Sequence, residues 1–331
     1  MNTRTLGAHG PRVSALGLGL MGMSDLYGPA DEKESLATIH AALEAGVTLL
    51  DTGDFYGMGH NELLLRDALR GADRDRVVIS VKFGALRGPD GTWLGHDARP
   101  AAVKNFLTYS LRRLGTDHID IYRPARLDPG VPIEDTVGAI AELVQAGYVR
   151  HIGLSEVGAA TLRRAAAVHP ISDLQIEHSL LSRDIEAEVL PVARSLGIGV
   201  TAYGVLSRGL LSGHWNPGRD LAADDFRTHS PRFQGENLRH NLALADALRG
   251  VAEHKGITTA QAAIAWVAAQ GEDIVPLVGA RTRARLAESL AAGEVEFTEQ
   301  ELTTIEQAIP AGAAAGLRYA PRQLPRLDGD H

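Results

Sequence analysis

The chain has 331 residues, of which 44% are hydrophobic and 22% charged, and its formal net charge is -8. This composition is typical of a globular protein, and no apolar run approaches the roughly 20 residues that span a bilayer. The negative charge argues against a nucleic-acid-binding protein, because phosphate contacts need concentrated Lys and Arg. The sequence has no cysteine, which excludes disulfides and thiolate metal sites. Since the residues after Met1 lack the apolar core of a signal peptide, we expect a cytoplasmic protein.

Short apolar runs alternate with stretches of helical periodicity along most of the chain, which favours a parallel sheet with helical crossovers. We predict strands at Ala15 to Leu18, Val47 to Leu50, Val77 to Lys82, Ile119 to Arg123, Val149 to Leu154, Leu174 to Glu177, Gly199 to Ala202 and Ile274 to Leu277. We predict helices at Glu32 to Glu44, Asn61 to Leu69, Pro100 to Leu114, Ile133 to Gln145, Ala159 to Val168 and Asp184 to Leu196. Each unit lasts about 25 to 35 residues, which predicts one (β/α)8 TIM barrel domain over residues 1–310.

Two segments break this period. Residues 207–234 are rich in Gly, Pro, Asp, Arg and aromatic residues, which predicts a long functional loop over the carboxyl-terminal mouth of the barrel. Residues 311–331 form a carboxyl-terminal tail that begins with a Gly-Ala connector. Within this tail, Leu317 to Tyr319 either fold back over the barrel mouth or join a contact in a homo-oligomer.

Three side chains that suit proton transfer lie at or near predicted strand ends, where β/α barrels place their chemistry. Asp51 follows the second strand, Tyr56 lies five positions later, and Lys82 closes the third strand. A lysine that ends an apolar strand needs a partner, and we expect an ion pair with Asp51 that faces Tyr56. A phenol has an ordinary pKa near 10, so we expect this cation to favour the phenolate. The competing interpretation of Asp51 is a cap or turn residue.

Further motifs follow in barrel order: Leu16 to Met23, Gly59 to Leu64, Ser110 to Asp120, Gly153 to Glu156, Gln175 to Arg183 and Val275 to Gly279. Together with Asp51, Tyr56 and Lys82, they resemble the aldo-keto reductase family, specifically bacterial members related to potassium-channel beta subunits. The resemblance covers nearly the whole chain. It implies hydride transfer from NADPH to a small-molecule carbonyl substrate, with Tyr56 as general acid and with Asp51 and Lys82 tuning it. Family enzymes lack a Rossmann domain, and no strand here leads into a G-x-G-x-x-G run.

The resemblance also implies a set of cofactor contacts. Ser155 and Gln175 would hold the carboxamide, together with Glu156 at a position that usually carries asparagine, and Tyr203 would stack on the nicotinamide ring. The remaining implied contacts are Asp51, Gly204, Leu206, Gly209, Gly279, Arg281, Arg285, Glu288 and Ser289, the last of which replaces the common asparagine.

Arg281 and Arg285 are our candidates for the 2′-phosphate and adenine contacts. Helix N-termini and guanidinium groups both favour phosphate, and residues four apart share one helix face if the helix begins near Thr282. The competing interpretation is a solvated basic helix start.

Ala125 stands where the family has histidine, and a methyl group cannot donate a hydrogen bond. Arg123 lies two positions earlier in the same strand, so its guanidinium either reaches the space beside Ala125 as a catalytic group or pairs with a core carboxylate. The missing histidine leaves three functions open: a working reductase, an NADPH-binding regulatory protein with little turnover, and a structural barrel with a vestigial pocket.

By residue type, His96, His178, His214 and His229 are candidates to replace the missing histidine or to bind a metal, but none has a spacing that indicates either role. Loop side chains that we expect to line the substrate pocket, with core packing as the alternative, are Met23, Tyr27, Trp93, Trp215 and Phe233.

Overall fold

Eight parallel strands form a closed barrel in the computed structural model, which describes residues 1–216, 218, 220–321 and 327–328. The barrel strands are Gly17–Gly19, Leu49–Gly53, Val78–Phe83, Ile119–Pro124, Val149–Ser155, Ile171–Glu177, Gly199–Tyr203 and Ile274–Gly279. Each strand pairs with the next along the chain, and the eighth returns to pair with the first. The predicted (β/α)8 barrel is therefore confirmed.

The helices surround the barrel. They are Glu32–Glu44, His60–Ala68, Pro100–Leu114, Ile133–Gln145, Ala159–Val168, Val189–Ser195, Gly235–Lys255, Thr259–Ala269, Arg283–Leu290 and Glu299–Ala308. Local signals set their ends: Pro100 occupies the first turn of its helix, and Gly115 ends that helix with a φ of 67°. The helix predicted from Asp184 to Leu196 instead splits into a 3-10 turn, Asp184–Glu186, and a helix that begins at Val189. Pro191 explains this start, because proline is tolerated only in the first turn of a helix.

Two short antiparallel hairpins were not predicted, because strands of three or four residues are too short to show a period. The first joins Thr3–Thr5 to Arg12–Ser14, and the Leu6 and Val13 side chains beside it pack against apolar residues of the barrel. The second joins Ala85–Arg87 to Trp93–His96 after the third barrel strand. It brings the indole of Trp93 to the ring of Phe55, with 5.7 Å between the ring centroids.

The described residues of the long segment 207–234 form three short 3-10 turns, Ser207–Ser212, Phe226–His229 and Pro231–Phe233. Ser207 and Arg208 have φ values of 47° and 59°, which non-glycine residues adopt rarely. Such backbone strain clusters at functional sites in proteins, and it occurs here directly after the seventh barrel strand. Along the described ranges, none of the helices combines the length and apolarity that crossing a membrane requires.

Candidate active site

A buried ion pair lies inside the barrel near the carboxyl ends of the second and third strands. The ammonium of Lys82 contacts one carboxylate oxygen of Asp51, and both side chains are at most 5% exposed. The other oxygen of Asp51 accepts hydrogen bonds from Ser80 Oγ at 2.9 Å and from Gln175 Nε2 at 2.7 Å. Asp51 pairs with Ser80 in the strand register, and Gly53 pairs with Lys82, so adjacent strands bring the charges together. These bonds offset the cost of burying two charges.

Tyr56 lies against this ion pair. Its side chain is buried in a small apolar cluster with Phe55, Ala85 and Ala125, and the Lys82 ammonium lies 5.1 Å from the centroid of its ring. The loop after Tyr56 turns back through left-handed backbone at Gly57, Met58 and Gly59. The three residues predicted to carry proton transfer are thus adjacent in the structure.

The pKa of Tyr56 moves in the direction opposite to our prediction. Burial raises it well above its ordinary value, the negative charge of Asp51 raises it further, and the Arg126 guanidinium opposes both. Burial also lowers the pKa of Lys82, although Asp51 opposes that change. Because Asp51 neutralises Lys82, no uncompensated lysine charge remains to favour phenolate. Tyr56 therefore keeps its proton at neutral pH, which is the state that a general acid requires.

Arg123 takes the second of the two roles left open for it. Its guanidinium is completely buried and pairs with Asp173, with contacts of 3.0 Å and 3.2 Å to the two carboxylate oxygens. It also donates to Ser80 Oγ at 3.1 Å, and Ser80 in turn donates to Asp51. Arg123 is thus held by a core carboxylate and is connected to Asp51 through Ser80. The prediction that it fills the space beside Ala125 is not met by this geometry.

Arg126, which the sequence analysis did not identify, lies beside Ala125 instead. Its guanidinium donates to the carbonyl oxygen of Ala125 at 2.6 Å and to the hydroxyl of Tyr319 at 3.2 Å. The fourth strand ends at Pro124, so the alternation of side chains that a strand would impose no longer governs position 126. A cation therefore lies beside the position that lacks the histidine.

The residues implied for the carboxamide meet at the ends of the fifth and sixth strands. Ser155 Oγ is buried without a hydrogen-bond partner, and an unsatisfied buried hydroxyl is costly unless a ligand completes it. Gln175 pairs with Ser155 in the strand register, and its Nε2 holds Asp51. Ser155 and Gln175 therefore fit a nicotinamide carboxamide.

Glu156 has a different set of partners from the one that the resemblance implies. Arg318, from the carboxyl-terminal tail, donates to both oxygens of Glu156 at 3.0 Å and 2.8 Å. The Glu177 amide and the Tyr203 hydroxyl also donate to Glu156, at 3.0 Å and 2.8 Å. Burial alone would raise the pKa of Glu156, but Arg318 and Arg126 lower it to about 2. Of the two arrangements predicted for Leu317 to Tyr319, the structure shows the tail folded back over the barrel mouth.

Tyr203 ends the seventh strand, and its hydroxyl lies 2.7 Å from that of Tyr319. The loop that follows contains the other implied cofactor contacts, Gly204, Leu206 and Gly209. Gly204 has a φ of 68°, and a Cβ there would lie 3.1 Å from Glu177, so a larger residue would be strained and crowded. Gly209 also has a positive φ, 104°, and its amide donates to the Leu206 carbonyl.

Arg281 and Arg285, the arginines expected to contact the cofactor, already have hydrogen-bond partners within the chain. The helix begins at Arg283 with Thr282 as its N-cap, so Arg281 precedes the helix and does not share a helix face with Arg285 as predicted. Arg281 donates to the backbone carbonyls of Tyr27, Gly28 and Pro29 at 3.1–3.4 Å.

The acid implied to contact adenine is also engaged. Glu288 accepts from Arg285 at 3.0 Å and from His214 at 2.9 Å. Ser289 is buried, whereas Gly279 has open space on its side-chain face.

A cavity of about 690 Å³ opens over this end of the barrel. Met23 and Trp93 line it as predicted, together with Arg87, Phe226 and Tyr319. Of the other predicted lining residues, Trp215 and Phe233 pack against each other with 5.0 Å between ring centroids, and Tyr27 packs edge-on against Phe226. These three rings pack against other aromatic side chains and do not line the cavity.

The histidines considered as metal ligands do not form a metal site among the described residues. His178 Nε2 lies 3.0 Å from Glu186, and its ring packs edge-on against Trp266. Over the part of the chain that the structure describes, no three His, Asp or Glu side chains are grouped as metal ligands.

Comparisons with known proteins identify the family of this chain. Residues 15–310 match the model of the aldo/keto reductase family. A probable aldo-keto reductase 1 from Glycine max is 41% identical over 317 residues, which cover 95% of this chain and 90% of that protein. The structure of a glycerol dehydrogenase from Gluconobacter oxydans is similar with a TM-score of 0.86 at 28% identity, covering 95% of this chain and 97% of that one. The holo form of an aldo-keto reductase from Bacillus halodurans gives a TM-score of 0.77 at 27% identity, covering 94% of this chain and 97% of that one. The chain therefore belongs to the aldo/keto reductase family, whose members reduce carbonyl groups with a nicotinamide cofactor.

Proposed function

We propose that this protein reduces an aldehyde or ketone to an alcohol with NADPH, that Tyr56 is the general acid, and that the reaction proceeds without the usual histidine at position 125. The observation that carries the proposal is the buried Asp51–Lys82 ion pair against Tyr56. Burying two charged groups in a barrel interior costs desolvation free energy, and a functional role is a common reason why a protein keeps such a pair.

The chemistry of the chain follows from this arrangement. A bound reduced nicotinamide supplies the hydride, and the residues that would hold its carboxamide are Ser155 and Gln175. Tyr56 enters the reaction protonated, because burial raises its pKa. As negative charge develops on the carbonyl oxygen, Tyr56 gives up its proton, and the positive charge of Arg126, which lowers the pKa of Tyr56, stabilises the phenolate that remains. Ser80 and Gln175 keep the Asp51 carboxylate oriented toward Lys82 throughout.

The preference for NADPH rests on the arginines after the eighth strand. The Arg283 and Arg285 side chains are more than half exposed, so their guanidinium groups have N–H donors open to a phosphate. Arg281 would leave the carbonyls of Tyr27 to Pro29 for a stronger, charge-assisted bond to the 2′-phosphate.

A second candidate is an NADPH-binding regulatory protein with little turnover. Ala125 favours it, and so does the tail, because Arg318 and Tyr319 bind the two side chains, Glu156 and Tyr203, that the resemblance assigns to the nicotinamide.

The test is Tyr56→Phe, which removes the transferable proton and keeps the ring. We expect NADPH oxidation with a panel of aldehydes and ketones to become unmeasurable, whereas the Kd for NADPH, from quenching of tryptophan fluorescence, stays within about twofold of the parent value. Tyr109→Phe makes the same chemical change at a side chain that is 56% exposed and serves as the matched control. Retained turnover in Tyr56→Phe would remove Tyr56 as the acid. Tight NADPH binding by the parent with no oxidation by any substrate would favour the regulatory protein.

A further inference from the structure

The carboxyl-terminal tail delivers two side chains to the ends of the barrel strands. Arg318 binds Glu156 through both terminal nitrogens of its guanidinium group, and its side chain is only 10% exposed. A second carboxylate, Glu177, lies 3.6 Å from Arg318. A bidentate pair at this depth has a defined geometry, which fixes the position of the next residue, Tyr319.

The hydrogen bonds around Tyr319 determine which oxygen its hydroxyl proton points to. Tyr203 has one proton, which it donates to Glu156. The 2.7 Å bond between the two phenols must therefore be donated by Tyr319 to the Tyr203 oxygen. The oxygen of Tyr319 accepts from Arg126 at 3.2 Å. A phenol that accepts from a guanidinium becomes a stronger donor through its own O–H, because linked hydrogen bonds polarise one another.

Tyr319 lies on the side of the site where the histidine is missing. The guanidinium that binds Tyr319 also donates to the carbonyl of Ala125, and the methyl of Ala125 belongs to the same apolar cluster as Tyr56. Tyr319 also lines the cavity that Met23 and Trp93 line. The tail thus places an O–H donor at the cavity wall, joined through Arg126 to Ala125 and close enough to Tyr56 for its charge to act on that phenol.

We propose that Tyr319 is a catalytic residue that donates a hydrogen bond to the substrate carbonyl oxygen beside Tyr56, in the role of the imidazole that Ala125 lacks. Arg126 and Arg318 are positioning residues for it. The proposal rests on the proposed carbonyl reductase function. When substrate binds, the Tyr319 O–H turns from the Tyr203 oxygen to the carbonyl oxygen. Tyr319 keeps its proton, Tyr56 transfers its own, and Tyr203 keeps its bond to Glu156.

The substitution Tyr319→Phe tests the proposal, because it deletes the hydroxyl and keeps the ring that three guanidinium groups surround. Removing one donor to a developing oxyanion costs about 10²-fold to 10³-fold in kcat, so we expect a fall on the order of 10²-fold with a small aldehyde. The Kd for NADPH should remain within about twofold of the parent value. Leu317→Ala changes a neighbouring side chain that is 51% exposed, and it should behave as the parent does.

Two results would overturn the role of Tyr319. One is a kcat for Tyr319→Phe within about threefold of the parent value. The other is a fall in kcat matched by an equal loss of NADPH affinity, which would make Tyr319 part of the scaffold of the cofactor site. Turnover by the parent protein is measured first. If the parent reduces no carbonyl compound, the proposed reductase function fails and the role of Tyr319 fails with it, and this result is distinct from a loss of turnover in Tyr319→Phe alone.

Rescue by histidine gives an independent readout. If the two groups share one role, Ala125→His should raise kcat by about tenfold or more in the Tyr319→Phe background and by a smaller factor in the parent. Near-ultraviolet circular dichroism checks that each variant keeps its packing. An equal factor in both backgrounds would show that the two groups act independently and would overturn the shared role.

Discussion

Replacing Arg123 separates a structural role from a catalytic one. Arg123 and Asp173 are both completely buried, and the ion pair is their main compensation. In Arg123→Met, the side chain keeps most of its volume, but the Asp173 carboxylate loses both guanidinium bonds. Removing one partner of a buried pair typically costs about 3 to 5 kcal/mol, because the other charge remains buried. For a chain of this size, that corresponds to a fall in Tm of roughly 4 to 7 °C.

The assay combines thermal melting, followed by circular dichroism, with kcat measured well below the Tm of the variant. We expect the lower Tm with less than a tenfold change in kcat, since Arg123 reaches Asp51 only through Ser80. Adding Asp173→Asn should recover part of the lost stability, because the uncompensated charge is then absent. A parent-like Tm combined with a kcat lowered by about 10²-fold would refute the structural role and restore Arg123 as a catalytic group.

Two further predictions concern cofactor choice and stability. Arg281→Ala should weaken NADPH binding by about 10-fold to 100-fold and NADH binding much less, because a charge-assisted bond to phosphate contributes about 1.5 to 3 kcal/mol. Equal losses of affinity for the two cofactors in fluorescence titrations would indicate that Arg281 serves only to hold the backbone of residues 27–29. Burial, together with the charge of Glu62, raises the pKa of Asp54 to about 8. The folded protein therefore retains a proton that the unfolded chain releases near pH 4, so this group costs the parent stability as pH rises from about 4 to 8. Asp54→Asn should remove that loss, so the variant should gain free energy of unfolding over the parent, and this gain should grow by at most about 1.4 kcal/mol per pH unit. If urea denaturation gives the same gain at pH 5 and at pH 8, the assigned pKa of Asp54 is contradicted.

The barrel was predictable because its strands are buried on both faces and read as continuous apolar runs. The Asp51–Lys82 pair was predictable for the same reason, since a lysine that ends such a run needs a nearby carboxylate. The partner of Arg123 was not predicted. The sixth strand begins at Ile171, three residues before its predicted start, so Asp173 fell outside the expected sheet. Its pairing with Arg123 also crosses the barrel interior, and no local spacing encodes such a contact.

The tail and Arg126 show a second limit. Arg318 and Tyr319 follow a Gly-Ala connector whose composition favours no particular path, so their binding to Glu156 and Tyr203 depends on tertiary contacts. Position 126 follows Pro124, where the strand ends, and strand alternation no longer predicts where its side chain lies. The sequence offered one signal for the position of the tail, which is the glutamate in place of the usual asparagine at position 156. A buried carboxylate at a strand end needs a cation, and Arg318 of the tail supplies it.

Single-turnover mixing of the protein with one equivalent of NADPH and an excess of a simple aldehyde tests the central claim most directly. The absorbance at 340 nm reports loss of the reduced nicotinamide, and mass spectrometry measures the alcohol. We expect one equivalent of NADPH to disappear with one equivalent of alcohol formed, even though Ala125 replaces the histidine. NADPH that binds but remains reduced with every carbonyl compound tried would contradict the claim that this site is a working reductase.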